Sequence, residues 1–442
     1  MSDIISAIST AMGVGGVAII RVSGKGSIQL ANKMFKPLKK INEFQPNVMY
    51  VGEIDGGDFK DFGMCVAFYA PHSFTGEDTI EFHCHGGLAI TQGILRKTFS
   101  LGARPATNGE FTKRAFVNGK LSLSSCEGLI DMINSESQAE VKAGYYLYRE
   151  KLCKKILALQ ESLTNSLAEI DASIDYPEEG LEEVATDKVF KAVDETIEQL
   201  SSLISLYKSG RKIFTGVKVC IVGKPNTGKS SLLNALLAYD KAIVTSIAGT
   251  TRDIVEGQIE IKGAKFNILD TAGIRDSVDE VEKIGIERTK RAVNESDLVI
   301  FVMDGSENLT EEDKEILASV GDKSIIRVCN KSDLGTVLNA DQYDILLSAK
   351  EGEIETLKEK MFSLGVGSEL SAEADYLTEE RHFNAISRAL KSIKNAKENK
   401  DAPLDLIAYD IKECWDALGE VTGETASESI VDEIFKKFCV GK

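Results

Sequence analysis

The sequence has no apolar run approaching the ~18 residues needed to cross a bilayer, which excludes a membrane-spanning chain. Its first residues, Met1-Ser2-Asp3, lack the basic start and apolar stretch of a signal peptide. Its eight cysteines are scattered and form no Cys-x-x-Cys pair. That spacing excludes a disulfide scaffold and a zinc ribbon and predicts a cytoplasmic protein in a reducing compartment. A positive charge balance is missing too, since the net charge is −17. The acidity is uneven: residues 1–120 carry a net of +3, residues 121–215 a net of −7 and the remainder −13. A nucleic-acid partner must therefore find local basic patches in a global field that repels phosphate.

What is present suits a soluble globular protein: 43% hydrophobic residues, 27% charged. At 442 residues, several domains are expected. Residues 1–118 read as mixed α/β. Gly15 to Gly24 is a short apolar run bounded by glycines, a buried strand. Cys65–Tyr69 and Thr79–Cys84 read as two further strands, followed by a helix over Leu88–Phe99. From about residue 121 the period changes. Leu152, Ile156, Leu159, Leu163, Leu167, Ile170 and Ile174 make the stripe of a long amphipathic helix, stopped by Pro177 and Gly180. A second stripe runs from Val189 through Val193, Ile197, Leu200 and Ile204 to Tyr207. Two helices cannot close a bundle, and the missing ones are found after residue 371: around Ile386–Ile393, over Leu406–Leu418, and over Ile430–Phe438. The expected architecture is multidomain α/β plus all-α. A mixed α/β N-terminal domain (1–118) precedes a discontinuous helical domain (119–215 and 366–442). An α/β domain of alternating strands and helices (216–365) is inserted into that helical domain.

The inserted segment carries the chemistry. Gly223-Lys224-Pro225-Asn226-Thr227-Gly228-Lys229-Ser230 matches G-x-x-x-x-G-K-[ST] and lies between the apolar strand Val217–Val222 and a helix from Ser231. Backbone N–H groups in such a loop wrap phosphates at a helix N-terminus. Lys229 supplies charge to the β/γ-phosphates, and Ser230 is placed to bind Mg²⁺. Asp270-Thr271-Ala272-Gly273 ends a strand where a carboxylate serves Mg²⁺ and a glycine N–H meets the γ-phosphate. In Asn330-Lys331-Ser332-Asp333 the aspartate suits the N1–H and N2–H donors of guanine, and the lysine stem suits the ring face. Ser348-Ala349-Lys350 offers a backbone N–H to O6. Four boxes in this order, each at a strand's carboxyl end, specify guanine nucleotide and mark the inserted segment 216–365 as a Ras-like P-loop GTPase domain. Thr251, within Gly249-Thr250-Thr251-Arg252-Asp253, is placed as a switch residue. Ile274 stands where Ras-like enzymes carry the water-orienting glutamine. Asp279, Glu280 and Glu282 are candidates to replace it, and no arginine finger is evident beyond Arg252 and Arg275. The Asn226 side chain can help hold a monovalent cation at the β–γ bridge.

Gly-x-Pro-Asn-x-Gly-Lys-Ser and Gly-Thr-Thr-Arg-Asp resemble the potassium-dependent branch of translation-factor-like GTPases. Other stretches narrow the likeness. They are Gly15-Gly16-Val17 through Arg21-Val22-Ser23-Gly24, Phe74-Thr75-Gly76-Glu77-Asp78, His85-Gly86-Gly87, Gly109 to Phe116, Asn118-Gly119-Lys120-Leu121, Leu418 to Glu424, and Phe438-Cys439-Val440-Gly441-Lys442. Along its whole length the chain resembles the tRNA modification GTPase family MnmE, also called TrmE. The resemblance implies a folate-binding N-terminal domain that forms a homodimer. It implies an FAD-dependent, NADH-using partner (MnmG, or GidA) with which a hetero-oligomer forms. The joint activity attaches an aminomethyl or carboxymethylaminomethyl group at C5 of the tRNA wobble uridine. A tetrahydrofolate derivative, 5-formyl or 5,10-methylene, is the implied one-carbon source.

Carried over by residue, the resemblance places folate contacts on Arg21, Glu81, Lys120 and Lys442, with Glu77 close to Glu81 in sequence. It places K⁺ on Asn226, Thr245, Ile247 and Thr250, and Mg²⁺ on Ser230 and Thr251. The GTP contacts run through Asn226, Thr227, Gly228, Lys229, Ser230 and Ser231, then Thr245, Ser246, Ile247, Ala248, Gly249, Thr250 and Thr251. They continue at Asp270, Thr271, Ala272 and Gly273, at Asn330, Lys331, Ser332 and Asp333, and at Ser348, Ala349 and Lys350. Glu282 becomes the water-orienting acid beside the catalytic Lys229, and Cys439 matches a cysteine linked to the modification step. Two departures stand out: Cys-Val-Gly-Lys where Cys-Ile-Gly-Lys is usual, and Thr10-Ala11-Met12-Gly13 where Thr-Pro-x-Gly is common. His83-Cys84-His85 is a poor metal site, because on a strand the cysteine faces away from both histidines. A ribosome-assembly GTPase without base chemistry would share the nucleotide boxes. The N-terminal 120 residues, the C-terminal tail and the lack of a Gly-x-x-Gly RNA-binding signature after the G domain favour the modifying enzyme.

Overall fold

A period-two alternation builds the N-terminal sheet. The computed structural model describes residues 3–175, 182–239, 255–269, 292–366, 377–425 and 427–442. The chain divides into two units: Met1–Ile133 with Gly144–Thr196 and Arg388–Lys442, and Asn134–Ala143 with Ile197–Ser387.

In the first unit, β1 (Ile5–Ile8), β2 (Gly15–Ser23), β3 (Phe35–Pro37), β4 (Met49–Asp55), β5 (Lys60–Phe68), β6 (Thr79–Gly86) and β7 (Arg104–Pro105) form one sheet. Its order is β3-β4-β5-β6-β2-β1-β7. Ile20, Val22, Ile80, Phe82 and Cys84 point into one core with Leu30, Met34 and Ile94 from the helices Ser27–Met34 and Leu88–Ser100. The alternation sends Arg21 and Glu81 to the opposite face, where they stand in register on neighbouring antiparallel strands. There Ile5, Ala7, Ala106 and Phe111 make a second, smaller cluster, with Phe74 packed on it.

The C-terminal tail returns to this sheet. Val440 pairs with Asn108, the Ser9 hydroxyl donates to the Gly441 carbonyl at 3.1 Å, and Phe111 N–H donates to the Lys442 carbonyl at 3.1 Å. Gly441 sits at φ 101, and a Cβ there would lie 2.2 Å from the Ile8 carbonyl oxygen, so only glycine passes. In the helical part, Lys151–Asp175 buries Leu152, Ile156, Leu159, Leu163 and Ile170 and packs along Leu404–Thr422. Gln160 Nε2 donates to the Trp415 carbonyl, and Trp415 Nε1 to Thr164 Oγ1, each at 3.1 Å.

The second unit holds β8 (Val217–Val222), β9 (Val255–Ile261), β10 (Ala264–Leu269), β11 (Leu298–Asp304), β12 (Ser324–Asn330) and β13 (Ile345–Leu346). Their order is β13-β12-β11-β8-β10-β9, all parallel except the β9–β10 hairpin. Both faces are apolar, as a parallel sheet covered on two sides requires. Val217, Val219 and Ile221 join a core with Leu232, Leu236, Leu357 and Met361, while Cys220 and Val222 join Phe301, Met303 and Val320.

Three differences from the sequence reading stand out. The strand read over Cys65–Tyr69 is the second half of β5, which ends at Phe68 and whose first half is disguised by Lys60, Asp61 and Gly63. Helices Leu123–Asn134 and Gln138–Tyr148 carry no clear stripe, because small residues such as Ser124, Ser125, Gly128 and Ala143 sit on their buried sides. The second long stripe crosses a break. One helix ends at Ser205, and Tyr207 opens the next, stacking on Phe383 with ring centroids 4.0 Å apart.

Candidate functional site

β8 delivers the chain into the phosphate loop, and the helix Lys229–Tyr239 leaves it. Between them Asn226 adopts φ 64 and Gly228 φ 93, left-handed turns of the kind with which a loop wraps an anion. A Cβ on Gly228 would lie 2.2 Å from Asn330 Nδ2, which fixes glycine there. Lys229 Nζ donates to the carbonyls of Gly223 (2.8 Å) and Lys224 (2.6 Å), and burial pulls its pKa down. Ser230, Ser231 and Asn226 are exposed at the loop surface.

The segments Asn330–Asp333 and Ser348–Lys350 close on this loop. Asn330, 2% exposed at the end of β12, donates from Nδ2 to the Thr227 carbonyl at 2.9 Å. Its Oδ1 accepts the Ala349 N–H at 3.0 Å. Asp333 accepts the Ser348 hydroxyl at 2.8 Å. One side chain therefore ties the phosphate loop to the segment after β13, and a second hydrogen bond sets the Asp333 carboxylate. Lys331 and Ser332 are half-buried, and Lys350 is exposed.

Two carboxylates that the sequence reading missed hold this slot. Asp304, at the end of β11, pairs with Lys331 Nζ at 2.5 Å. Asp313, 3% exposed, pairs with Lys224 of the phosphate loop at 2.8 Å. Burial pushes both carboxyls up, but their partners outweigh it and hold them below their ordinary values. Asp313 also accepts the N–H and hydroxyl of Thr310 at 2.9 Å each, capping the helix Glu311–Val320. That Thr-x-x-Asp box was a readable signal; Asp304 had none.

Thr245, Ser246, Ile247, Ala248, Gly249, Thr250, Thr251, Asp270, Thr271, Ala272, Gly273 and Glu282 lie outside the described residues.

On the N-terminal sheet, Arg21 Nε bonds Glu81 Oε1 at 2.9 Å. The Arg21 guanidinium lies 5.5 Å from the Phe74 ring centroid and 5.6 Å from that of Phe111. Burial pushes the Glu81 carboxyl up, but His83 and Arg21 outweigh it and leave it below the ordinary value. Glu77 is engaged elsewhere, by Arg114 at 2.9 Å and the Ser23 hydroxyl at 3.1 Å. Lys442 reaches the site through its backbone bond to Phe111. Lys120 is exposed and its N–H donates to the Ala115 carbonyl; no contact joins it to Arg21 or Glu81. Cys439 is exposed on the tail. His85 is held by Asp61 at 2.7 Å and Cys84 is buried in the core. Among the described residues no group of His, Cys, Asp and Glu is arranged for a metal ion, and no helix is long and apolar enough to cross a membrane.

Two family models match the chain, one after the other. Residues 4–120 match the family described as GTP-binding protein TrmE N-terminus, and residues 123–439 match the MnmE helical domain. A tRNA modification GTPase MnmE of Acetivibrio thermocellus is 42% identical, over 100% of this chain and 99% of the relative. One of Natranaerobius thermophilus is 40% identical, with coverage of 100% and 99%. Among solved structures, a variant of Aquifex aeolicus Era bound to GDP.AlF4- is 29% identical, over 40% of this chain and 66% of that one, with a TM-score of 0.27. Matched along its whole length by such relatives, this chain belongs to the MnmE family of tRNA modification GTPases.

Proposed function

We propose that the protein hydrolyses GTP in its second unit and uses that cycle to gate modification of tRNA at C5 of the wobble uridine. The observation that carries the reading is the linked set Thr227–Asn330–Ala349 with Asp333–Ser348, which joins a phosphate loop to a guanine-selective edge. Asp333 accepts the two guanine donors, Lys331 covers the ring, and the Lys350 N–H faces O6, since that of Ala349 is given to Asn330. Lys229 turns from the loop carbonyls to the β/γ-phosphates, where its charge offsets what develops during cleavage. Glu282 orients the attacking water, in the place of a glutamine.

Two of the described residues, Ser230 and Asn226, suit the ions. Ser230 offers an exposed hydroxyl on the first helical turn, and with Thr251 would hold Mg²⁺. Asn226 offers an exposed amide oxygen at a left-handed turn, and with Thr245, Ile247 and Thr250 would hold K⁺. When bound, both cations neutralise charge on the phosphates.

The Arg21–Glu81 pair over Phe74 and Phe111 suits a folate. A pterin edge wants a carboxylate, and a glutamate tail wants cations, for which Lys120 and Lys442 are proposed. A tetrahydrofolate supplies the one-carbon unit when bound. Residues 1–118 are proposed to form this folate-binding and dimerisation domain, with 119–215 and 366–442 as the helical domain and 216–365 as the inserted G domain. A flavin-dependent MnmG partner completes the chemistry, with Cys439 acting in the modification step.

Nucleoside analysis of total tRNA from cells lacking this protein tests the reading. The C5 substituents of wobble uridine should disappear; if they persist unchanged, the proposal fails.

A further inference from the structure

Lys331 and Asp333 lie two residues apart, and their charges attract. An ammonium on a flexible four-carbon stem would be free to neutralise the carboxylate that guanine needs. The Lys331 backbone is left-handed, at φ 65 and ψ 38, and caps the short 3₁₀ turn Ser332–Leu334. Its side chain is turned back to Asp304, with Nζ 2.5 Å from Oδ2.

Asp304 is itself locked. It stands opposite Asn330 in the parallel β11–β12 register. Its Oδ1 accepts the Ser306 N–H at 3.0 Å and the Ser306 hydroxyl at 2.6 Å, leaving Oδ2 for Lys331. Gly305 N–H donates to the Asn330 carbonyl at 2.8 Å, which ties the turn after β11 to the start of the base-recognition segment. Side-chain exposure is 11% for Asp304 and 31% for Lys331, so the pair is partly shielded from water. Asp333 meanwhile has its own partner in Ser348, an uncharged hydroxyl that fixes the carboxylate without cancelling it.

We propose that Asp304 is a specificity-determining positioning residue of the guanine site. It holds the Lys331 ammonium away from Asp333, so that the Asp333 carboxylate stays free for the base and the Lys331 stem is ordered before nucleotide arrives. Asp304 does not touch the nucleotide; it acts through Lys331. The inference rests on the guanine site proposed above at Asn330–Asp333. Immobilising one long side chain in advance is worth several-fold in affinity, and losing that order while gaining a competing ion pair should cost roughly three- to tenfold.

The test is a titration of fluorescent GDP, with ADP as the control, into full-length wild type, Asp304→Asn, Asp304→Glu, Lys331→Met and the Asp304→Asn/Lys331→Met double variant. Thermal unfolding is recorded for each. Asp304→Asn should raise the Kd for GDP about three- to tenfold, and for GTP hydrolysis KM should move more than kcat. Asp304→Glu, which keeps the charge, should recover part of the affinity. In the Lys331→Met background, Asp304→Asn should change the Kd less than about twofold. An unchanged Kd in Asp304→Asn would overturn the inference. So would an equal loss with and without Lys331, which would make Asp304 a structural support. Wild-type protein that binds GDP no better than ADP would instead overturn the guanine site beneath it.

Discussion

The nucleotide slot and the N-terminal sheet face are assembled in different ways. In the slot, short loops at the carboxyl ends of parallel strands hold one another. Asn330 grips Thr227 and Ala349, and Ser348 grips Asp333. Each loop is contiguous in sequence, so each motif brings its own geometry. On the sheet face nothing is contiguous. Arg21 and Glu81 meet only because β2 and β6 pair antiparallel with these residues in register. A one-residue slip of either strand would turn its residue of the pair toward the core. Their aromatic shelf comes from a loop, Phe74, and from a helix, Phe111, and the tail reaches it only because Gly441 passes beside Ile8. The first kind of site is written largely in local motifs, and the second depends on the pairing of distant strands.

Three experiments can break or sharpen that contrast. The largest effect is expected at Asp333. Asp333→Asn replaces the proposed acceptor of two guanine donors and should weaken GTP binding on the order of 100-fold, because a site built to hydrogen-bond a group penalises a mismatch heavily. Titration with GDP and ADP reads this, and a loss shared equally by both nucleotides would place Asp333 outside base recognition.

A smaller effect is expected on the sheet face. Arg21→Ala removes a guanidinium that bonds Glu81 and should lower the affinity for a reduced folate by about tenfold, as for one charge-assisted hydrogen bond. Calorimetric titration with 5-formyl-tetrahydrofolate checks it. Equal affinity in both proteins would remove Arg21 from the proposed folate site.

The smallest effect is a pH dependence confined to the first unit. Burial pushes the Glu110 carboxyl up, but Arg104, the Thr107 N–H and Arg114 together pull it down from 4.5 to about 2. A carboxylate depressed in this way stabilises the fold fully above its unfolded pKa, and that contribution fades as pH falls from about 4.5 to about 2. The single tryptophan, Trp415, lies in the first unit and reports it alone. Glu110→Gln should lower stability at neutral pH and flatten the acid limb of the Trp415 unfolding curve. An acid limb identical to wild type would assign the sensitivity to other carboxylates.

The same contrast governs what could be read without a structure. The phosphate loop, Asn330–Asp333 and Ser348–Lys350 were legible because each motif sits where one strand ends. Asp304 was not, since its tie to Lys331 depends on the β11–β12 register between distant segments. The apolar run Gly15–Gly24 and the segment Thr79–Cys84 marked two strands, but nothing local said that they were neighbours. Helix Leu123–Asn134 escaped notice because it packs through Ser124, Ser125 and Gly128, where the hydrophobic period is weakest. Arg21 and Glu81 were reached by resemblance alone.

The central claim is that hydrolysis in the second unit drives chemistry attributed to the first. The most direct test replaces the only cellular copy with Lys229→Ala, whose lost ammonium should reduce GTP turnover by roughly 100- to 1000-fold. Mass spectrometry of tRNA nucleosides should then show wobble uridine without its C5 substituent, despite an intact N-terminal sheet. Full modification in cells whose protein no longer hydrolyses GTP would contradict the account.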